Sequence, residues 1–222
     1  LAHLAASRQR RLLQAPDARL VDVSSNDYLG LSRHPQVIER ACEWTRRHGA
    51  GSRASRLVTA TSQAVLDLES KLAAFKGTAA ALIFASGFQL NSSVLPALFE
   101  LGYKPLAFTD RLNHASLHAG CRGMRQVRYR HNDLDHLDEL LRSHPGELRF
   151  IVTESVFSMD GDRADVPALA ALAERHGAVL YLDEAHATGI FGPDGRGLAA
   201  HLDGRDNVIT LRTCGKALGC EG

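Results

Sequence analysis

Short apolar segments alternate with longer segments of helical periodicity over most of the chain. Parallel strands need a long crossover, usually a helix, so this alternation is typical of a parallel sheet covered by helices. We therefore predict an α/β fold with a mostly parallel sheet flanked by helices. The predicted strands are 80–84, 106–109, 126–129, 150–153, 178–182 and 208–211, and the predicted helices are 62–75, 87–99, 114–121, 134–143 and 167–176.

The first fifty residues differ from this regular alternation. Residues 1–13 have the spacing of an amphipathic helix, and a short extended piece is predicted at 20–23. A proline at position 35 is well placed to begin a helix that ends at Gly49. We predict a small N-terminal lobe over residues 1–50 and a large α/β domain over residues 51–222.

Charge and cysteine content argue against several classes of protein. The 222 residues contain 26 Lys and Arg against 25 Asp and Glu, a net charge of +1, with no long run of one sign. Nothing therefore indicates a nucleic-acid or membrane surface, and no apolar run has the length of about 20 residues that spans a bilayer. The four cysteines lack a C-x-x-C pair, so neither a zinc site nor a disulfide framework is predicted. We expect reduced thiols and a cytoplasmic protein.

A carboxylate directly follows one of the most apolar predicted strands. The strand at 178–182 runs into Asp183-Glu184-Ala185-His186. Open α/β sheets bind ligands at the carboxyl ends of their strands, and a buried, unpaired carboxylate is costly there. Asp183 therefore needs a cationic partner. The protonated pyridine nitrogen of pyridoxal 5′-phosphate (PLP) is one, and an aspartate that keeps it charged makes the ring an electron sink.

Three further strand ends carry residues that suit the same ligand. Ser86, Gly87 and Phe88 lie at a strand-to-helix junction, where the free N–H groups of a helix N-terminus attract an anion such as phosphate. Lys216 lies in a loop of small residues after the last strand, as an imine-forming lysine would. His114 follows another strand, where its ring could lie against a flat ligand.

Each of these residues has a more ordinary explanation when taken alone. Most lysines lie on the surface, and most histidines near helix ends make only structural hydrogen bonds, which applies to His114 and His186. Ser86 could simply cap a helix, and Asp183 could cap a turn or bind a metal ion. The ligand hypothesis is favoured because all four strand ends suit one molecule.

Other functions suggested by single motifs would require further motifs that the sequence lacks. Asp-Glu-Ala-His at 183–186 spells a helicase box, but an ATPase would need an upstream G-x-x-x-x-G-K-[ST] loop, and none is present. A serine hydrolase would need G-x-S-x-G, and a zincin would need H-E-x-x-H; both are absent. The eleven histidines are scattered, so a metal enzyme is the weakest hypothesis and no metal ligand is assigned.

The order of the motifs resembles that of the α-oxoamine synthases. These are PLP-dependent enzymes of fold type I, which join an amino acid to an acyl-CoA thioester with loss of carbon dioxide. The resemblance covers nearly the whole chain. It is carried by Ser-Ser-Asn-Asp-Tyr-Leu-Gly-Leu at 24–31, Asn-His-Ala-Ser at 113–116, Val-Phe-Ser-Met-Asp-Gly-Asp at 156–162, Asp-Glu-Ala-His-x-Thr-Gly at 183–189 and Gly-Lys-Ala-Leu-Gly at 215–219.

The resemblance implies roles for individual residues. Lys216 would hold PLP as a Schiff base and then remove the Cα proton, Asp183 would pair with the ring nitrogen, and His114 would stack on the ring. The other implied cofactor contacts are His186 and Ser158 at the phenolic oxygen and Ser86, Gly87, Phe88 and Thr213 at the phosphate. The implied substrate contacts are Asn26, His114 and an N-terminal arginine, Arg8.

Two segments resemble a narrower branch of that family. Ser-Ser-Asn-Asp-Tyr at 24–28 and Ser-Arg-Leu-Val-Thr at 55–59 match the homodimeric members that condense L-alanine with pimeloyl-CoA or pimeloyl-ACP. Their product is 8-amino-7-oxononanoate, in biotin biosynthesis. The alternatives are a member resembling glycine C-acetyltransferase, aminolevulinate synthase or serine palmitoyltransferase, or a truncated PLP-fold module without catalysis.

The chain departs from that branch in two respects. Arg53-Ala54 and Ala60 stand where glycines are usual, which could change the acyl partner. Family members also continue beyond the lysine into a C-terminal domain, whose arginine binds the amino-acid carboxylate. The 222 residues include no such domain, so we expect the large domain to be incomplete and full activity to need more than this chain.

Overall fold

Five parallel strands form one sheet in the order β2-β1-β3-β4-β5. The computed structural model describes residues 15, 17, 19–101, 105–145 and 148–222. The strands are β1 (Leu106–Asp110), β2 (Arg125–Tyr129), β3 (Arg149–Glu154), β4 (Val179–Asp183) and β5 (Val208–Leu211). The predicted α/β fold with a parallel sheet is confirmed.

Six α-helices of more than five residues accompany the sheet in the described chain. They are α1 (Pro35–His48), α2 (Gln63–Lys76), α3 (Gly87–Glu100), α4 (Ala115–Gly120), α5 (Leu134–Ser143) and α6 (Val166–Arg175). Each lies within two residues of its predicted position. Their beginnings follow known signals, since Asp133 and Asp165 accept backbone N–H groups as N-caps and Pro35 occupies the first turn.

Alternate side chains of the strands enter two separate cores. Phe108, Ile151 and Leu180 face α5 and α6, whereas Phe150 and Tyr181 face α3 and α4. Because successive strand side chains point to opposite faces, a strand buried on both faces is apolar throughout. This is why the predicted strands at 150–153 and 178–182 are mostly apolar runs, whereas β2 at the edge of the sheet is mixed in composition and partly exposed.

The predicted strand at 80–84 is wrong. The segment is irregular, and the side chain of Leu82 is largely exposed. The backbone of Ile83 is bound by side chains instead of a neighbouring strand: its N–H donates to Glu69 (2.7 Å), and its carbonyl accepts from Arg56 (3.1 Å). A strand is defined by its hydrogen-bonding partner, which the composition of the segment does not reveal.

The N-terminal region differs from the α/β part in its burial. None of the described residues from 19 to 62 is buried, and α1 buries no residue at all. The predicted extended piece at 20–23 forms no strand, and the predicted helix at 1–13 lies outside the described residues. Within the described residues, no helix is long and apolar enough to cross a membrane.

Candidate active site

The carboxyl edge of the sheet collects buried carboxylates. Asp110, Glu154 and Asp183 are the last residues of β1, β3 and β4, and all are at most 6% exposed. Glu154 and Asp183 are direct register partners. Clustered acids with little solvent keep their charge only if cations or donors face them, so this edge is the place for ligand chemistry.

Asp183 is held by neutral donors. The backbone N–H of Ala185 donates to Oδ1 (2.9 Å) and the side-chain amide of Asn91 donates to Oδ2 (3.0 Å). Burial raises the pKa of Asp183, and these hydrogen bonds and the charge of Lys216 only partly oppose that effect. A cation placed against Asp183 would relieve this cost, as the sequence predicted.

Asn91 orients Asp183 and was not identified from the sequence. It is fully buried on α3, its amide also donates to the Ser116 hydroxyl (2.9 Å), and its carbonyl oxygen accepts from the Tyr181 hydroxyl (2.8 Å). The sequence does carry a signal, because Asn91 precedes Leu95 and Phe99 on the apolar stripe of the helix. A polar residue in such a stripe indicates a buried hydrogen-bonding role.

Lys216 and His186 are in direct contact. Lys216 Nζ lies 2.9 Å from His186 Nε2. Burial lowers the pKa of Lys216, although Asp183 and Glu154 oppose this shift. Burial and the charge of Lys216 lower the pKa of His186 to about 4, so the ring is neutral at physiological pH. A lysine with a lowered pKa has more of the uncharged amine that can act as nucleophile or base.

The N-terminal region reaches this pair through Tyr28. Its hydroxyl lies 2.6 Å from His186 Nδ1 and 3.1 Å from Asn26 Oδ1. When Lys216 donates to Nε2, the neutral ring must carry its proton on Nδ1, so His186 donates to Tyr28 and Tyr28 donates to Asn26. The predicted substrate residue Asn26 is thereby connected to Lys216, and Tyr28 is a connecting residue that the sequence prediction did not assign.

Ser86, Gly87 and Thr213 lie together at the start of α3. The Ser86 hydroxyl caps the helix by accepting the Gln89 N–H (3.1 Å), and the N–H groups of Gly87 and Phe88 have no partner within the helix. A methyl group on Gly87 would lie 4.0 Å from Thr213. The Thr213 hydroxyl accepts the Gly215 N–H (3.1 Å) and so shapes the lysine loop. Phe88 follows with a half-exposed ring, so the residues of the predicted anion site lie together.

His114 caps α4 and faces the same edge. Its Nδ1 accepts the Ser116 N–H (3.2 Å), and its own backbone N–H donates to Glu154 Oε1 (2.5 Å). The capping explanation for this histidine is therefore correct, and it is compatible with stacking because the residue remains exposed.

Glu154 is a second residue that the sequence prediction did not include. Burial, and next the charge of Asp183, raise its pKa to about 8. Its signal was the same as that of Asp183, since it directly follows an apolar strand. The prediction overlooked it because no ligand group required a second carboxylate.

Two predicted residues are not joined to this cluster. Ser158 is exposed in the segment after β3 and makes no hydrogen bond within the described residues. Arg8 lies outside the described residues.

Glu184, the second residue of the Asp-Glu-Ala-His motif, has a structural role. It is fully buried, it accepts from Arg212 (2.6 Å) through one oxygen and from the Ala199 N–H (2.9 Å) through the other, and Arg212 also binds Asp203 (3.0 Å). The paired charges join the segments that follow β4 and β5. Among the described residues, no group of three His, Cys, Asp or Glu side chains is arranged to hold a metal ion.

Comparison with known proteins identifies the family of the chain. The family model "Aminotransferase class I and II" matches residues 18–222. An 8-amino-7-oxononanoate synthase from Gluconacetobacter diazotrophicus is 58% identical over 94% of this chain and 54% of its own length.

Solved structures of two related enzymes have the same fold. A serine palmitoyltransferase from S. paucimobilis with a bound PLP–myriocin aldimine has a TM-score of 0.83 and 32% identity, over 90% of this chain and 52% of its own. An 8-amino-7-oxononanoate synthase from Francisella tularensis has a TM-score of 0.78 and 28% identity, over 93% and 58%. The chain thus spans about half the length of the relatives it matches.

Proposed function

Because the chain belongs to the aminotransferase class I and II family, we propose that it is the cofactor-binding part of a PLP-dependent acyltransferase, an 8-amino-7-oxononanoate synthase. The proposed reaction condenses L-alanine with pimeloyl-CoA or pimeloyl-ACP, with loss of carbon dioxide. The observation that carries the proposal is the arrangement of Asp183 and Lys216 at one sheet edge. Asp183 is a buried carboxylate with only neutral donors among the described residues, and Lys216 is a nearby lysine with a lowered pKa.

The residues present fit PLP at three of its groups: the pyridine nitrogen, the aldehyde carbon and the phosphate. Asp183 would hold the pyridine nitrogen in its protonated form, and Lys216 would bind the aldehyde carbon. The first turn of α3 with Ser86, Gly87 and Thr213 would hold the phosphate. When bound, PLP supplies an electron sink for the carbon atom next to the substrate nitrogen.

The proton at that carbon atom would be moved by Lys216. Its lowered pKa raises the uncharged fraction of the amine, so the amine can accept the Cα proton of the amino acid and later return it. His186 is neutral and would orient the lysine through Nε2. His114 would cover one face of the ring and exclude water from the Cα atom. Ser158 would reach the phenolic oxygen from its own segment.

The choice of substrates rests on relatives rather than on geometry. The 58% identity to the 8-amino-7-oxononanoate synthase of G. diazotrophicus favours L-alanine and a pimeloyl thioester, whereas the solved structures, at 28% and 32% identity, do not separate the two activities. Asn26 would face the acyl substrate, since Tyr28 joins it to His186. We also propose that the whole protein is a cytoplasmic homodimer.

The cofactor proposal is tested with the full-length protein. We expect visible absorption from bound PLP, and borohydride should attach PLP irreversibly to Lys216, as peptide mapping would show. Lys216→Ala should lose this labelling, whereas Lys71→Ala, which alters a lysine on α2, should keep it. Labelling that persists in Lys216→Ala would refute the assignment.

The substrate proposal has a separate test. L-alanine with pimeloyl-CoA or pimeloyl-ACP should release carbon dioxide and give the amino-ketone product by mass spectrometry. Glycine with acetyl-CoA and L-serine with palmitoyl-CoA are the competing pairs. Turnover of one of those pairs alone would reject the biotin assignment and leave the PLP assignment intact.

A further inference from the structure

The segment that carries Ser158 is a small hairpin beyond the end of β3. Val156 and Arg163 form an isolated antiparallel bridge. Within the loop, the Phe157 N–H donates to the Asp162 carbonyl and the Gly161 N–H donates to the Phe157 carbonyl, both at 3.0 Å. We call residues 156–163 the Ser158 hairpin. A two-stranded piece this short has little stability of its own, so its position depends on other contacts.

A histidine outside the proposed active site joins this hairpin to the sheet. His131 Nδ1 lies 2.9 Å from Asp110 Oδ1, and His131 Nε2 lies 2.9 Å from Asp162 Oδ2. The Asp110 side chain is fully buried, and the His131 side chain is 17% exposed. The ring also contacts Phe157 of the hairpin edge to face, with 4.4 Å between centroids.

The geometry determines the charge of this ring. Ionised carboxylates only accept hydrogen bonds, so a ring with a carboxylate at each nitrogen must donate from both. Only the imidazolium ion can do so. The hydrogen bonds and charges of Asp110 and Asp162 raise the pKa of His131 overall, although burial alone would lower it.

Asn132 binds the same two carboxylates as His131. Its backbone N–H donates to Asp110 Oδ2 (2.9 Å), and its side-chain amide donates to Asp162 Oδ2 (2.6 Å). Its φ of 52° is in the left-handed region, where asparagine is more common than most residues. Two consecutive residues therefore bind the same two carboxylates, which indicates a specific connection rather than an incidental contact.

We infer that His131 is a positioning residue that, as an imidazolium ion between Asp110 and Asp162, fixes the Ser158 hairpin over the carboxyl edge of the sheet. The inference rests on the proposed function in one respect, the role of Ser158 at the cofactor. The connection of the hairpin to β1 does not depend on it.

The first test measures the hairpin in the full-length protein without PLP. His131→Gln replaces two ring nitrogens by one amide nitrogen and removes the positive charge, so the side chain no longer presents a donor on each side to Asp110 and Asp162. Hydrogen exchange at Phe157 and Gly161 should become about tenfold faster or more, because each lost bond is to a charged group. The ¹⁵N shifts of His131 in the unaltered protein should be those of an imidazolium ring. His176→Gln is the matched control, since His176 also binds an aspartate (2.6 Å to Asp138) but lies away from the hairpin.

The second test asks whether His131 acts through Ser158. With PLP bound, His131→Gln and Ser158→Ala should shift the visible band in the same direction, and the double variant should equal Ser158→Ala alone. Asp162→Ala should have the same effect as His131→Gln, but it keeps the buried contact between His131 and Asp110. It therefore replaces His131→Gln in the test if that variant fails to fold.

The outcomes separate the two proposals. Unchanged hairpin exchange in both His131→Gln and Asp162→Ala would overturn the inference. Additive band shifts in the double variant would also overturn it, because they would mean that His131 does not act through Ser158. Failure of the unaltered protein to bind PLP would reject the proposed function, while the exchange and ¹⁵N results would still decide whether His131 holds the hairpin.

Discussion

Asn91 supports Asp183 from within the core, and its loss should weaken the cofactor site specifically. In Asn91→Ala, Asp183 loses a donor and the buried Tyr181 hydroxyl loses its acceptor. We expect PLP affinity to fall about tenfold or more and the free energy of unfolding to fall by about 1–3 kcal/mol. Absorption titration with PLP and urea unfolding measure the two effects.

Tyr181→Phe is the matched control for that prediction. It removes the bond to the Asn91 carbonyl oxygen but keeps the bond from Asn91 to Asp183, so stability should fall without a comparable loss of PLP affinity. Equal losses of affinity in both variants would contradict a specific role for Asn91.

Glu154 should make the stability of the PLP-free protein depend on pH. Burial first, and then Asp183, raise its pKa from 4.5 to about 8. The fold therefore retains a proton that the unfolded chain releases, and this contribution is full below pH 4.5 and lost as the pH rises through about 8. Glu154→Gln keeps an oxygen that accepts the His114 N–H but cannot ionise. Between pH 5 and 8.5, the free energy of unfolding of this variant should therefore fall by about 2–4 kcal/mol less than that of the unaltered protein.

Urea unfolding at several pH values measures this difference. Glu174→Gln, which alters an exposed glutamate on α6, should follow the unaltered protein. A Glu154→Gln protein with an unchanged pH dependence would show that Glu154 is ionised in the fold.

The sequence could predict those site residues whose position follows from chain order alone. Asp183 and Lys216 follow strands, and parallel strands end at one edge, so their proximity was predictable. Asn91 binds Asp183, which lies 92 residues later in the chain, and Tyr28 binds His186, which lies 158 residues later. Such contacts depend on the packing of helices and of the N-terminal region, which no local pattern contains.

Among the elements, the lysine loop depends on a close approach to the N-terminal region. Gly219 has a φ of 64°, and a Cβ atom there would lie 2.2 Å from Ser32 N. Gly219→Ala should therefore separate the loop from residues 31 and 32, lower the melting temperature and reduce borohydride labelling of Lys216. Gly177→Ala is the control, because Gly177 has a similar φ of 60° with nothing within 4 Å of a Cβ atom.

The two glycines separate backbone strain from steric conflict. Both variants incur the cost of a positive φ for alanine, about 1 kcal/mol, but only Gly219→Ala meets backbone atoms. If both variants lose equal stability and both keep full labelling, the close approach is not required for the site.

At the scale of helices and strands, the sequence predicted which segments form these elements better than it predicted which strands pair. The central strands β1, β3 and β4 were recognisable because they are buried on both faces and mostly apolar, whereas β2 at the sheet edge is mixed in composition and partly exposed. The segment at 80–84 has a similar composition but no strand beside it within the described chain. Composition reports burial and propensity, whereas pairing depends on residues distant in sequence.

In the whole molecule, the exposed apolar side chains are unevenly distributed. Of the large apolar side chains that are exposed in the described chain, all but Leu112, Met159 and Ile190 lie at or before Leu101. They include Trp44 on α1 and Leu57, which is fully exposed. Large apolar side chains that remain exposed indicate a surface for another chain or segment where they form one contiguous patch.

This distribution leads to a prediction about assembly that extends the homodimer proposal. In the full-length protein, Leu57→Asp should weaken the dimer, because a charge buried at an interface without a partner costs several kcal/mol. Sedimentation velocity at decreasing concentration should show a monomer in the variant at concentrations where the unaltered protein is a dimer. Met159→Asp, at an exposed apolar residue outside this region, should remain dimeric. If Leu57→Asp instead stays dimeric but loses thermal stability, residues of the same chain cover Leu57, and the homodimer surface must lie elsewhere.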